Sequence, residues 1–269
     1  MNLLQRNCPQ CGRNNEKRAR NAYSLEHWQL KNCSNCGFVY LENCPDYELL
    51  KVEFAWEKTS VKERQMRTQS EPFKQIVSDG CKQFKRKYLK RNKLKTLIER
   101  FFKPGNVLDV GCAAAGVLRQ LDPQYTPFGI EISKSLAQKA KQYVEPKGGK
   151  IVYGDALSGV RQFADGLFSG IILSAFLEHE INPKVLLREL YRVASVNGVV
   201  IIKVPNYGCL NRKIRGRKWC GFRYPDHVNY FTPASIEAMC RDASWNILKF
   251  GFFDRHPLSD NMWLVISKK

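Results

Sequence analysis

The chain has 269 residues, 43% of them apolar, with 44 Lys and Arg against 25 Asp and Glu, a formal net charge of +19. That length holds one α/β domain with a small appendage, and the charge calls for a partner rather than explaining a fold. No apolar run approaches the roughly 20 residues that span a bilayer, and the start, Met1 to Arg6, lacks the apolar region of a signal peptide, so a soluble cytoplasmic protein is expected. The ten cysteines then read as thiols and metal ligands rather than disulfides.

The first chemistry in the chain is Cys8-Pro9-Gln10-Cys11-Gly12, matched by Cys33-Ser34-Asn35-Cys36-Gly37 after a spacer of about twenty residues, a strong spacing for tetrahedral zinc. Each pair offers two sulfurs from one tight turn, and the glycine after the second cysteine lets the backbone bend. The spacer, with Tyr23, Trp28 and Leu30, has room for a hairpin between the turns, as in zinc ribbons. A four-sulfur shell of Cys8, Cys11, Cys33 and Cys36 has no open position, so the zinc is expected to be structural, with Cys44 nearby as a possible substitute ligand. The ribbon is assigned to residues 1–45.

Residues 46–103 read as a charged, amphipathic helical linker or cap broken at Pro72 and at Ser78-Asp79-Gly80. Phe54, Trp56 and Phe73 are candidates for lid residues, with packing the more ordinary reading. A basic cluster, Lys82 to Lys95, accompanies a broken apolar stripe of Cys81, Phe84, Tyr88, Leu94, Ile98 and Phe101, which suits a solvated helix face. Other readings of it are contact with nucleic acid, an anionic lipid surface or an acidic glycan.

From residue 104 to 269 the pattern is a series of βα units. Asn106-Val107-Leu108-Asp109-Val110-Gly111 is a buried strand ending in an acid, and Cys112-Ala113-Ala114-Ala115-Gly116 is a small-residue turn expected to open a helix. Phe128-Gly129-Ile130-Glu131-Ile132 is a second strand, its acid twenty residues past Gly111, the spacing at which a carboxylate meets ribose hydroxyls. Ile151-Val152-Tyr153-Gly154-Asp155 repeats the plan ahead of Ala156. Ser169 to Ser174 is a fourth strand, Leu186 to Val193 an amphipathic helix, Asn197-Gly198 a turn, and Val199 to Pro205 a fifth strand. Trp245 to Phe253 and Met262 to Ser267 lie too close together for a helical crossover and are expected to pair antiparallel.

Three acid-ended strands without a Gly-x-x-x-x-Gly-Lys-Ser/Thr loop resemble the class I S-adenosylmethionine-dependent methyltransferases of the small-molecule branch. The resemblance implies a Rossmann-like α/β sheet of seven strands with an antiparallel last strand, and S-adenosylmethionine as cofactor. By position it implies that Asp109 and the turn of Gly111, Ala113 and Gly116 flank the methionine part, that Glu131 with Ile132 holds ribose, that Asp155 with Ala156 lies near adenine, and that Ser174 borders the site. The family's Gly-x-Gly-x-Gly is here Gly111, Ala113 and Ala115, with Gly116 one place late; alanine is expected to fit where φ stays negative.

Methyl transfer from a sulfonium needs an acceptor held in line, and a hydroxyl acceptor also wants a base. Of four histidines, His179 in Leu177-Glu178-His179-Glu180 follows the fourth strand and resembles a motif of small-molecule methyltransferases, although a loop histidine also caps helices. His227 lies in Tyr224-Pro225-Asp226-His227-Val228-Asn229-Tyr230-Phe231-Thr232, similar to an Asp-His-x-x-x-Phe-Thr segment of the family. There Asp226 or Asn229 is a candidate to orient the ring, and Tyr230 and Phe231 are candidates to wall a pocket. Asn206 to Tyr224 reads as a basic, glycine-rich substrate loop, with Arg212, Arg215, Arg217 and Lys218 suited to an anionic acceptor. Thr232-Pro233 starts a helix. His27 and His256 fall away from the cleft, and Cys112 reads as packing.

The favoured reading is O-methylation of a small-molecule, sugar or lipid-linked acceptor. Two others stand beside it: an RNA or protein methyltransferase whose ribbon and basic helix grip an acidic macromolecule, and a silent scaffold, suggested by Ala113 and Ala115.

Overall fold

The computed structural model describes residues 3–47 and 92–269. The expectations for Phe54, Trp56, Phe73, the breaks at Pro72 and Ser78-Asp79-Gly80, and most of the basic cluster lie outside those residues.

Four short strands build the amino-terminal unit: β1 (Leu3–Gln5), β2 (Leu30–Asn32), β3 (Val39–Leu41) and β4 (Asn43–Pro45). β1 pairs antiparallel with β4, and β2 pairs antiparallel with β3 across the second cysteine turn. The hairpin expected between the two turns is therefore found around Cys33 to Cys36 instead, and the spacer itself holds an isolated bridge from Leu25 to Trp28. Lys31 organises that spacer: buried to 2% exposure, it pairs with Glu42 at 3.3 Å and donates to the carbonyls of Asn15 and Glu16. A buried ammonium must be paired and fully hydrogen-bonded, which draws the loop inward.

The main sheet has the order β11-β12-β9-β8-β5-β6-β7. Its parallel strands are β5 (Gly105–Val110), β6 (Tyr125–Glu131), β7 (Ile151–Tyr153), β8 (Phe168–Ser174) and β9 (Ala194–Pro205). β12 (Asn261–Ser267) runs antiparallel to both β9 and β11 (Asn246–Lys249), which is the seven-stranded arrangement expected. Helices cover both faces because the strands are apolar on both, as parallel sheets require. α1 (Lys93–Phe101) lays Leu97 and Ile98 on one face, against Val107, Ile172, Ile201 and Val265. On the other, α4 (Pro183–Val193) buries Leu186, Leu187, Leu190 and Val193 completely, each worth roughly 1.5–3 kcal/mol. Ser133 caps α2 (Lys134–Val144), Asp155 caps α3 (Ala156–Val160), and Thr232 with Ser235 forms a capping box on α6 (Pro233–Asp242), with Pro233 in the first turn.

Several boundaries differ from the sequence reading. The small-residue turn opens a single 3-10 turn, Leu118–Gln120, rather than an α-helix. Asn197-Gly198 does not end a helix connection but lies within β9, where Asn197 takes φ 63° and the register with β8 shifts. The segment after Lys249 leaves the sheet for a 3-10 turn, Phe252–Asp254. The basic loop is folded as well: α5 (Leu210–Arg215) leads to Trp219, 2% exposed, whose Nε1 donates to Asp260 Oδ1 at 2.7 Å.

β10 (Asn229–Tyr230) pairs antiparallel with β3, so the loop carrying His227 completes the amino-terminal sheet. Arg6 fastens the same seam, donating to Leu41 O and Ile181 O at 2.7 Å each, to Asn229 Oδ1 at 3.1 Å, and to Val228 O.

Candidate functional site

The carboxyl edge of the parallel strands gathers the acids. Asp109 is opposite Gly129 and Glu131 is opposite Tyr153, so the two carboxylates end adjacent strands β5 and β6. Both are buried, at 4% and 7% exposure. The amides of Gly111 and Cys112 both donate to Ile130 O, at 2.9 and 3.1 Å, swinging the turn over β6. There Ala113 N donates to Glu131 Oε2 at 2.8 Å, and Ser133 N donates to Oε1 at 2.8 Å. The carboxylate is thus locked in place by two main-chain donors, one from each adjoining loop. Burial, with the charge of Glu131 adding to it, pushes the Asp109 carboxyl up to about 8.

The turn corrects one expectation. Gly111, Ala113 and Ala115 all lie in the left-handed region, at φ 76°, 47° and 62°, where alanine was expected to need negative φ. A non-glycine residue there costs roughly 1–2 kcal/mol. The amide of Ala113 reaches Glu131 from that conformation. Gly111 is required twice over, since a Cβ on it would sit 2.6 Å from Phe176 Cδ2.

The other candidates take their places along the same edge. Gly116, in the exposed end of the turn, has open space where a Cβ would be, and Ile132 is half-buried immediately after β6. Asp155, after β7, accepts from Ser158 N at 2.9 Å as the cap of α3, whose first residue Ala156 is buried. Ser174 ends β8 opposite Lys203. Beside these two opens a cleft of about 900 Å³, with Lys93, Leu94, Ile98, Leu121 and Trp263 among its walls. Lys203 and Trp263, which the sequence reading passed over, carry a signal in hindsight: register places both at the edge where β9 meets the reversed strand.

This edge fits S-adenosylmethionine. A buried carboxylate fixed by amides is an acceptor for vicinal hydroxyls, and Asp109 beside it, on giving up its proton, becomes the counter-ion for a cationic amino-acid end.

The structure brings His179 and His227 together, edge to face at 4.7 Å between ring centroids. His179 Nδ1 meets Asp226 O at 2.9 Å, and His227 Nδ1 meets Gly221 O at 2.8 Å. His179 therefore does not cap α4, and it is His179 that Asp226 holds, through its main chain. Asn229 is spent on Leu177 O and Glu180 O, at 2.8 and 2.6 Å, and on Arg6. Tyr230 and Phe231 are core residues rather than pocket walls, at 3% and 1% exposure. Burial, assisted by the positive charge of Arg223, lowers the His179 pKa to about 4. Glu178, between the two histidines' loops, is pushed up to about 8 by burial. Its main-chain oxygen accepts from Val228 N and Asn229 N, pinning the two loops together.

Cys8, Cys11, Cys33 and Cys36 bring their four sulfurs within 4.8 Å of one another, with Sγ to Sγ distances of 3.6 Å for Cys8 and Cys36 and 3.5 Å for Cys11 and Cys33. The two turns match: Gly12 N donates to Cys8 O and Gly37 N to Cys33 O, with both glycines at positive φ, 75° and 71°. Four thiolates at these spacings fit zinc. Cys44 is buried outside the cluster and Cys112 packs under the turn, while His27 lies against Trp28. No helix among the described residues is long and apolar enough to cross a membrane.

Residues 83–249 match the family model described as a methyltransferase domain. A stretch of 109 residues is 32% identical to the ajmaline N-methyltransferase of Rauvolfia serpentina, covering 37% of this chain and 36% of that enzyme, so the match spans about a third of that relative's length. Among solved structures, the fold is similar to a SAM-dependent methyltransferase from Archaeoglobus fulgidus, with TM-score 0.52, 17% identity, and 69% of this chain and 98% of that one covered. It is similar also to an S-adenosylmethionine-dependent methyltransferase from Clostridium acetobutylicum, with TM-score 0.53, 11% identity, and 72% and 99% covered.

Proposed function

The chain belongs to the methyltransferase-domain family, and we propose that it is an S-adenosylmethionine-dependent methyltransferase whose acceptor is a small molecule, sugar or lipid-linked intermediate methylated at oxygen. The observation that carries the acceptor class is the cleft of about 900 Å³ beside Ser174 and Lys203, within the size range of small-molecule sites and partly walled by apolar side chains. When bound, the cofactor supplies an electrophilic methyl carbon on a sulfonium.

This chain's residues do the rest. Glu131, clamped by Ala113 N and Ser133 N, orients the ribose, and Asp109 faces the methionine end. Ser174 borders the methyl group, with Ile132 beside Glu131 at the ribose, Asp155 and Ala156 near the adenine, and Gly111, Ala113 and Gly116 lining the turn. His227 and His179, the latter held neutral at pH 7 by its burial, handle the acceptor's proton from the loops that follow β8 and β9. Lys203 and Lys93 favour an acceptor bearing a carboxylate or phosphate. The four cysteines hold a structural zinc, residues 1–45 act as the ribbon, and residues 104–269, joined by α1 on one face of the sheet, act as the methyltransferase domain in the cytoplasm.

Incubation with methyl-labelled cofactor and fractionated metabolites, followed by mass spectrometry, tests the reading. A labelled O-methyl product of low mass supports it. A labelled amine instead favours the nitrogen chemistry named for the plant relative. Label in RNA or protein, with binding that falls steeply with salt, favours the acidic-macromolecule reading suggested by the net charge of +19.

A further inference from the structure

The loops after β8 and β9 hold a second set of metal-ligating side chains, 140 residues and more along the chain from the cysteines. One ligand atom from each of Glu178, His179 and His227 lies within 4.8 Å of the others. Two further observations point to a cation. Glu178 is 1% exposed, and its Oε2 is buried with no donor reaching it among the described residues. A buried carboxylate oxygen without a donor costs on the order of 1–3 kcal/mol or more, so such an atom calls for a ligand. In addition, each imidazole meets a main-chain carbonyl through Nδ1: Asp226 O for His179 and Gly221 O for His227. A carbonyl only accepts, so both Nδ1 atoms carry the proton, and the tautomer is the one whose lone pair lies on Nε2. Metal-ligating histidines are held by this same outer hydrogen bond.

We infer that Glu178, His179 and His227 form a binding site for a divalent transition-metal ion of nitrogen and oxygen preference, zinc, cobalt or nickel in class, distinct from the four-cysteine site. Two imidazoles and one carboxylate are a borderline ligand set that disfavours calcium and magnesium. Three protein ligands leave a coordination position for water or an acceptor oxygen. The ion also ties Glu178 and His179, after β8, to the segment that carries His227. The inference rests on the proposed function and recasts the histidine pair, which then acts on the acceptor oxygen through the ion rather than by taking its proton directly; metal occupancy is measured without any acceptor, so it fails separately from the acceptor assignment.

The test is metal content of the full chain by mass spectrometry, with titration of the demetallated protein by Co2+ alone. About two equivalents are expected, one giving the intense thiolate-to-cobalt absorption of the cysteine site, the other weak visible bands without it. Glu178→Gln, isosteric and uncharged, and His227→Gln should each weaken the second equivalent by on the order of 100-fold while the thiolate band persists as the check on folding. Should His227→Gln fail to fold, Glu178→Gln decides alone. A single equivalent in the unaltered protein, all of it thiolate-bound, overturns the inference, as does a second equivalent that Glu178→Gln leaves undiminished.

Discussion

The Arg6 guanidinium donates to Asn229 Oδ1 at 3.1 Å, joining the residue that follows β1 to the residue two places after His227. The same guanidinium meets Leu41 O, Ile181 O and Val228 O, so one side chain satisfies main-chain acceptors from three segments. Arg6→Met should cost about 2–4 kcal/mol, because the acceptors lose a charged donor in a partly buried place. Arg6→Lys should recover only part, since an ammonium lacks the fork that spans them. Denaturant unfolding checks both, and a loss below about 0.5 kcal/mol would show the seam to be dispensable.

Asp109 makes stability and cofactor binding depend on pH. Its folded pKa, about 8, lies above the ordinary carboxylate value, so between about 4 and 8 the native state holds a proton that the unfolded chain has released. Stability from this group is present in full below pH 4 and is lost as pH rises through 8, by up to about 1.4 kcal/mol per unit. Asp109→Asn should flatten that slope and raise the melting temperature at pH 8. A cationic cofactor end should draw the proton off, so calorimetry at pH 6 to 7 in buffers of different ionisation enthalpy should show net proton release, absent in Asp109→Asn.

Glu131 and His227 should separate binding from turnover. Glu131→Gln replaces one acceptor oxygen with a donor facing either Ala113 N or Ser133 N, and should weaken S-adenosylhomocysteine binding by roughly 10- to 100-fold. His227→Ala should lower kcat by roughly 100-fold with cofactor affinity within about threefold. Equal losses of cofactor affinity in both variants would refute the division.

Ala113 keeps a left-handed backbone that glycine adopts at lower cost. Ala113→Gly should change stability by no more than about 1 kcal/mol, relief of strain offsetting the larger entropy of the unfolded chain, with cofactor affinity retained. Ala113→Val should lose more than about 2 kcal/mol, since a β-branched residue at φ 47° is a strong outlier. Thermal melts with and without S-adenosylhomocysteine distinguish the two.

Removal of the ribbon's metal should be felt at the histidines. Chelation is expected to lower the melting temperature by roughly 5 °C or more and to raise hydrogen exchange at Val228 to Tyr230, because β10 takes its partner strand from the ribbon. Unchanged exchange there after zinc loss would show that the pairing of β10 with β3 is energetically independent of the cysteine site.

The sheet was legible from sequence because each central strand is a short apolar run closed by an acid or a turn, and the acids at 109, 131 and 155 have the spacing of βα units. The cysteine cluster was legible because metal ligation is written in local spacing. What sequence hid were contacts between distant segments: Asp226 holding His179, Arg6 reaching Asn229, and Lys31 gathering the ribbon's spacer. None has a periodicity. The left-handed alanines were hidden for another reason. Propensity disfavours that conformation, and only the hydrogen bond donated by Ala113 N to the Glu131 carboxylate, a tertiary relation, shows what the strain secures.

The pairing of β10 with β3 also bears on biosynthesis. Val39 and Tyr40 leave the ribosome about 190 residues ahead of Asn229 and Tyr230, so throughout most of translation the nascent ribbon carries a bare strand edge able to recruit the wrong partner. Metal capture by the four cysteines would steady their turns meanwhile but leave that border open. Only when Asn229 and Tyr230 emerge can the border be sealed, and products stalled or truncated before them should accordingly be the aggregation-prone species in the cell.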